Sequence, residues 1–227
     1  DNKILIFAKI VNMIVRANII GVPTYVRYNY NLYVNELSGF AQAAPNPMPE
    51  AAETCSGCHQ ADGKGMPNIA PMLAGLNADY LEHQLILFSS GERQSAIMKG
   101  MADGVSDPAV RREVAEYFAS LPSYEFTDLE QRGSQADIDN PYRKLVFQGD
   151  WDRNIPACAT CHGPSGMGVD KFPRLASQHA DYIQTQLNAW KNGTRKGDDL
   201  NMMGNIAGKL TDDEIKNLSY YFASFRY

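Results

Sequence analysis

The chain has 227 residues, 44% of them apolar and 21% charged, enough for two domains of about 100 residues each with its own core. Disorder, collagen and a polytopic membrane protein are excluded. The net charge of −5 argues against nucleic acid as a partner, because little would neutralise a phosphate backbone.

Residues 1–44 form an N-terminal extension. Its apolar run, Ile4 to Val22, is broken by Lys9, Asn12, Arg16 and Asn18. Eleven Ile, Leu, Phe or Val residues at about −0.3 to −0.6 kcal/mol each are offset by two central cations at about +2.5 to +3.5 each. A plain membrane span is therefore disfavoured. At 100° per residue Lys9, Asn12 and Arg16 share one narrow stripe, which predicts a helix lying at a membrane surface or against a partner. A retained leader, with Ala41-Gln42-Ala43 as its cleavage box, is the alternative.

Two pentapeptides follow, Cys55-Ser56-Gly57-Cys58-His59 and Cys158-Ala159-Thr160-Cys161-His162. Both fit the C-x-x-C-H pattern of covalent haem attachment. Two thiols on one helical turn can add to the two vinyl groups of a haem, and the adjacent imidazole then faces the iron. A zinc ribbon would bring its C-x-x-C pairs within about 20 residues of each other, and a redox dithiol has no need of the following His. All four cysteines are consumed, so no disulfide is expected.

An internal repeat organises the rest. Ala74–Arg93 (AGLNADYLEHQLILFSSGER) and Ala176–Arg195 (ASQHADYIQTQLNAWKNGTR) are identical at eight of twenty positions. Pro71-Met72-Leu73-Ala74 matches Pro173-Arg174-Leu175-Ala176, and Tyr117-Phe118-Ala119-Ser120 matches Tyr221-Phe222-Ala223-Ser224. The expected domains are residues 45–122 and 141–227, joined by a polar surface linker at 123–140. The fold class is all-α. Leu81, Leu85 and Phe88, and Ile183, Leu187 and Trp190, make helical apolar stripes. Gly91 and Gly193 close those helices. Thr211 to Glu214 reads as a capping box, with Ile215, Leu218 and Phe222 on one face of the last helix. Ser106-Asp107-Pro108 stands at the matching start in copy one, and Pro141 to Gln148 predicts an opening helix in copy two.

The sixth ligand of each iron is sought among the methionines, because a thioether favours ferrous iron. Setting Leu210-Thr211-Asp212 against Val105-Ser106-Asp107 pairs Met203 with Met98, each seven residues before the apolar position. Met101 and Met202 find no methionine opposite. The remaining histidines, His83 and His179, are possible sixth ligands; His83 has no counterpart in copy two, where Thr185 stands, and reads as a surface or satisfied side chain.

With these motifs in view, residues 50–227 resemble the dihaem class I cytochromes c of the cytochrome c4 type. The resemblance rests on CSGCH, CATCH, the two P-x-L-A segments, the A-D-Y…QL…F/W…G-x-R helices and the two methionine loops. It implies two tandem class I cytochrome c domains about a pseudo-two-fold axis, with haem propionate edges facing each other. It implies His59–Met98 and His162–Met203 ligation of two covalent haem c groups, with the Pro71 and Pro173 carbonyls holding the histidine rings. It further implies a periplasmic electron carrier rather than an enzyme. The extension at residues 1–44 departs from the family pattern and favours a carrier tethered to the inner membrane, or a subunit of a respiratory or photosynthetic complex. The expected donor is a quinol-oxidising complex or dehydrogenase, and the expected acceptor a terminal oxidase. The alternative is a dihaem oxidoreductase, peroxidase-like or thiosulfate-oxidising, with a displaceable sixth ligand.

Overall fold

The computed structural model describes residues 45–122 and 141–225. The expectations for the extension at 1–44 and the linker at 123–140 lie outside the described residues.

Copy one consists of α1 (Glu50–His59), α2 (Ala78–Ser90), α3 (Ala96–Gly104) and α4 (Pro108–Ser120). Copy two consists of α5 (Pro141–Phe147), α6 (Cys158–His162), α7 (Ala180–Lys191), α8 (Met202–Ala207) and α9 (Asp212–Ala223), with short 3₁₀ turns at Pro164–Gly166 and Asp199–Asn201. Among the described residues there is no strand, only isolated bridges. None of these helices is long and apolar enough to cross a membrane.

Local chemistry sets the helix ends. Asn77 caps α2 by accepting the Tyr80 amide, and Gly91 closes it at φ 83°, a left-handed conformation that costs a residue without Cβ little. Asp107 caps α4, with Pro108 in the first turn, where its missing N–H is no loss. Thr211 and Glu214 form a reciprocal capping box on α9. These caps refine the register between the copies. Asp107 matches Thr211 rather than Asp212, so copy one carries one extra residue, Ser106, between its apolar position and its last helix.

Each copy has its own core. Leu76, Leu81, Val114, Tyr117, Phe118 and Leu121 are buried together in the first, and Leu145, Val146, Ile155, Ile183, Ile215, Leu218 and Phe222 in the second. Burial of such side chains is worth about 1.5 to 3 kcal/mol each. The haem motifs are seated differently. In copy one a single ten-residue helix carries CSGCH, whereas copy two splits the same region into α5, a loop and the five-residue α6.

Candidate haem sites and the interface between the copies

The loop after each C-x-x-C-H folds back by the same bonds. The Gly63 carbonyl accepts the Leu73 and Ala74 amides at 2.8 and 3.0 Å, and the Gly166 carbonyl accepts Leu175 and Ala176 at 2.8 and 3.0 Å. Both glycines have positive φ, 69° and 75°. A Cβ on Gly63 would sit 2.9 Å from the Ala74 amide nitrogen, and one on Gly166 would sit 2.7 Å from the Phe222 ring, so the tight return needs glycine.

This return brings each proline carbonyl to its histidine. His59 Nδ1 lies 2.8 Å from the Pro71 oxygen, and His162 Nδ1 lies 2.8 Å from the Pro173 oxygen. Both rings are buried, and burial holds each imidazole below its ordinary pKa, against the opposing pull of the carbonyl bond. A neutral ring whose Nδ1 proton is spent on a carbonyl offers Nε2 as a lone-pair donor. The four cysteines are unpaired, two per helical turn beside these rings. Burial raises the Cys55 thiol and pushes Cys158 up to about 11, so they are apolar-seated thiols rather than free thiolates. The donor set fits a covalently tethered haem at each motif.

Met98 stands in the first turn of α3, where its amide donates to the Ser95 side chain at 3.2 Å. Met203 stands in the first turn of α8, its amide on the Asp198 carboxylate. Four residues on, Ala102 and Ala207 are both fully buried; three further, Val105 and Leu210 are buried and donate back to them at 3.2 and 3.1 Å. The two methionines thus hold one position in the repeat, and both are half-buried, whereas Met101 is 38% exposed. A Cβ at Gly204, next to Met203, would lie 2.2 Å from Asn201 Oδ1, so a larger residue there would make the Asn201 side chain move. His83 and His179 each direct Nε2 at a backbone carbonyl of the other copy, Gly197 at 3.0 Å and Lys64 at 3.1 Å.

One functional cluster escaped the sequence reading. The two Gly-x-Arg loops pair antiparallel at Arg93 and Arg195. Arg93 donates to Gln84 of its own copy at 3.0 Å, and to Tyr182 and Gln186 of the other at 2.6 and 2.8 Å. Arg195 mirrors this, reaching Gln186 at 2.9 Å and, across the interface, Gln84 at 3.0 Å and Tyr80 at 3.4 Å. Each guanidinium also stacks on its own aromatic ring, Phe88 at 4.4 Å and Trp190 at 4.6 Å. Burial pushes the Tyr182 phenol up, but the two adjacent guanidiniums outweigh it and hold it below its ordinary value. The signal was present in the repeat. Tyr80/Tyr182 and Gln84/Gln186 recur at i, i+4, and their polar ends serve the other copy.

Both arginines are buried, at 5% and 8% exposure, and neither has a carboxylate partner among the described residues. Arg195 Nε is buried without a hydrogen bond.

A family model described as Cytochrome c matches residues 50–130 and 147–225. A thiosulfate dehydrogenase electron acceptor from Stutzerimonas stutzeri (strain A1501) is 41% identical over 187 residues, covering 82% of this chain and 83% of that protein. Among solved structures, the reduced recombinant cytochrome c4 from Pseudomonas stutzeri aligns with a TM-score of 0.66 at 32% identity, over 77% of this chain and 95% of that one. The thiosulfate dehydrogenase from Marichromatium purpuratum aligns with a TM-score of 0.66 at 38% identity over 75% of this chain. Our chain spans 36% of that longer one.

Proposed function

The chain belongs to the cytochrome c family as a dihaem electron-transfer protein with two covalently attached haem c groups, and from that premise we propose that it accepts electrons from a thiosulfate-oxidising dehydrogenase and passes them on. The bound irons supply a one-electron ferric/ferrous couple. Cys55, Cys58, Cys158 and Cys161 tether the two groups, His59 and His162 ligate from the proximal side, and Met98 and Met203 complete the two iron spheres. The Pro71 and Pro173 carbonyls fix the histidine tautomer and ring orientation. The single observation that carries the reading is the duplication itself: the same 2.8 Å histidine–carbonyl bond and a half-buried methionine at the same repeat position in both copies. Two closed, six-coordinate sites suit relay rather than bond chemistry.

The names of its relatives support the partner. One is an electron acceptor for thiosulfate dehydrogenase, and the longer Marichromatium chain, itself called a thiosulfate dehydrogenase, contains a stretch similar to this one. The compartment is the periplasm, where haem is attached to such motifs after export. A terminal acceptor such as an oxidase follows downstream, and residues 1–44 provide the attachment to membrane or partner.

Stopped-flow mixing separates the relay from the oxidoreductase reading. The oxidised protein should stay oxidised with thiosulfate alone. Both haems should be reduced when a thiosulfate dehydrogenase is added. Turnover of thiosulfate by the isolated chain would overturn the relay and favour an enzyme with a displaceable sixth ligand.

A further inference from the structure

The two copies align position by position, and two of the pairs at which they differ act together across the interface. Met72 stands where copy two has Arg174, and Leu76 stands where copy two has Gln178. These departures meet at one place in the interface, beside the first histidine.

Pro71 C=O and Met72 N–H are the two ends of one peptide group. The carbonyl accepts the His59 Nδ1 proton at 2.8 Å. The N–H donates to Gln178 Oε1 at 3.0 Å, across the interface. Gln178 Nε2 returns to the Met72 carbonyl at 2.9 Å, so the glutamine grips Met72 from both sides. Arg174 Nη2 adds bonds to the Ala74 carbonyl at 2.8 Å and the Met72 sulfur at 3.2 Å. Met72, Arg174 and Gln178 are all buried. Leu76, which matches Gln178, has no polar side-chain atom to offer copy two and lies in the core of copy one. The grip therefore runs one way.

Hydrogen bonds that share an amide reinforce each other. An acceptor on the Met72 N–H shifts electron density towards the Pro71 oxygen and makes it a stronger acceptor for His59. A more strongly bonded Nδ1 proton leaves the imidazole a more basic ligand. Greater ligand basicity favours ferric iron. Resting on the assignment of His59 as the ligand of the first haem, we propose that Gln178 of copy two is a positioning residue for that haem: it acts through the Pro71–Met72 peptide to strengthen the His59 hydrogen bond and lowers the first haem's reduction potential, leaving the second untouched.

The test uses the full-length holoprotein labelled with ¹⁵N-histidine. Two readouts are needed, the Nδ1–H resonances in the reduced, diamagnetic state and the potentials of the two haems. Gln178→Leu installs the residue that copy one has at the matching place. The His59 Nδ1–H resonance should move upfield and the first haem's potential should rise, with His162 and the second haem unchanged. Gln178→Met, closer in length, should give the same directions and serves if the leucine variant fails to fold. Arg93→Gln loosens the same interface without touching the relay and should leave the His59 proton in place. A His59 resonance that stays put in a folded Gln178 variant, or that moves together with His162, overturns the proposal. An unsubstituted protein without two six-coordinate, low-spin haems would instead overturn the ligand assignment beneath it.

Discussion

Copy one and copy two agree in the bonds that hold each histidine and in the arginine network between them, and differ at Met72/Arg174 and Leu76/Gln178 and in the charge they carry. The histidine–carbonyl bond is 2.8 Å in both, and the buried Ala–Val and Ala–Leu pairs behind Met98 and Met203 superimpose in register. The arginine–glutamine–tyrosine network is nearly symmetric, as a pseudo-two-fold interface requires. Against this, residues 45–122 carry five basic and ten acidic side chains, while residues 141–227 carry eleven and nine. On the proposed ligation, the same ligand set in an acidic and a basic body would give two similar redox sites with different electrostatic faces. Charge of this kind governs which partner is steered to which end more than it governs the fold.

The strongest way to break the comparison is to remove one tether. Replacing Cys158 and Cys161 by Ala should leave a protein whose intact mass contains one haem rather than two, still bound in copy one. Loss of both would show that the sites do not assemble independently. Next in size, Met98→Ala and Met203→Ala should each abolish thioether–iron absorption in one haem and lower its potential, because a water or other harder donor stabilises ferric iron. Met101→Ala should leave both spectra unchanged and, being 38% exposed, cost only about 0.5 to 1 kcal/mol in denaturant unfolding. Arg93→Ala and Arg195→Ala should each destabilise by about 1 to 3 kcal/mol, since each removes three hydrogen bonds at the interface while Gln84 and Gln186 keep the other arginine. A double-mutant cycle should show strong coupling, because both arginines share Gln84 and Gln186.

The smallest effect belongs to copy two alone. Hydrogen bonding to Arg153 holds the Glu214 carboxyl below its ordinary value, with bonds of 2.7 and 3.1 Å. A depressed folded-state pKa gives stability that is full above the ordinary glutamate range and is lost as pH falls through the folded value. Glu214→Gln should therefore cost about 1 kcal/mol or less near neutrality. The variant and wild-type melting curves should converge in acid.

Much of this was legible in the sequence, and for physical reasons. Covalent haem attachment needs its five residues contiguous, so both motifs can be read directly. Capping is equally local, and the Thr211–Glu214 box and the Asp107–Pro108 start formed as their chemistry dictates. The offset of Met98 and Met203 from a buried apolar residue survived because that stretch is a short helix of about two turns in both copies. The alignment slipped by one residue immediately afterwards, at Ser106, where a loop can absorb an insertion without moving the core. What could not be read was what the polar positions of the A-D-Y…QL helices face. Tyr80, Gln84 and Arg93 look like ordinary solvated side chains in a single copy, and their role exists only once the second copy lies against them. Gln178 was hidden for the same reason, since its partner is a peptide group 106 residues away.

The central claim is that each copy holds its own His–Met haem, and the most direct measurement is the ferric absorption band at the red end of the spectrum that thioether–iron coordination produces, quantified per haem in the fully oxidised protein. The account predicts the intensity of two coordinated haems, falling to one in either Met98→Ala or Met203→Ala. A wild-type intensity corresponding to one haem or none would contradict it.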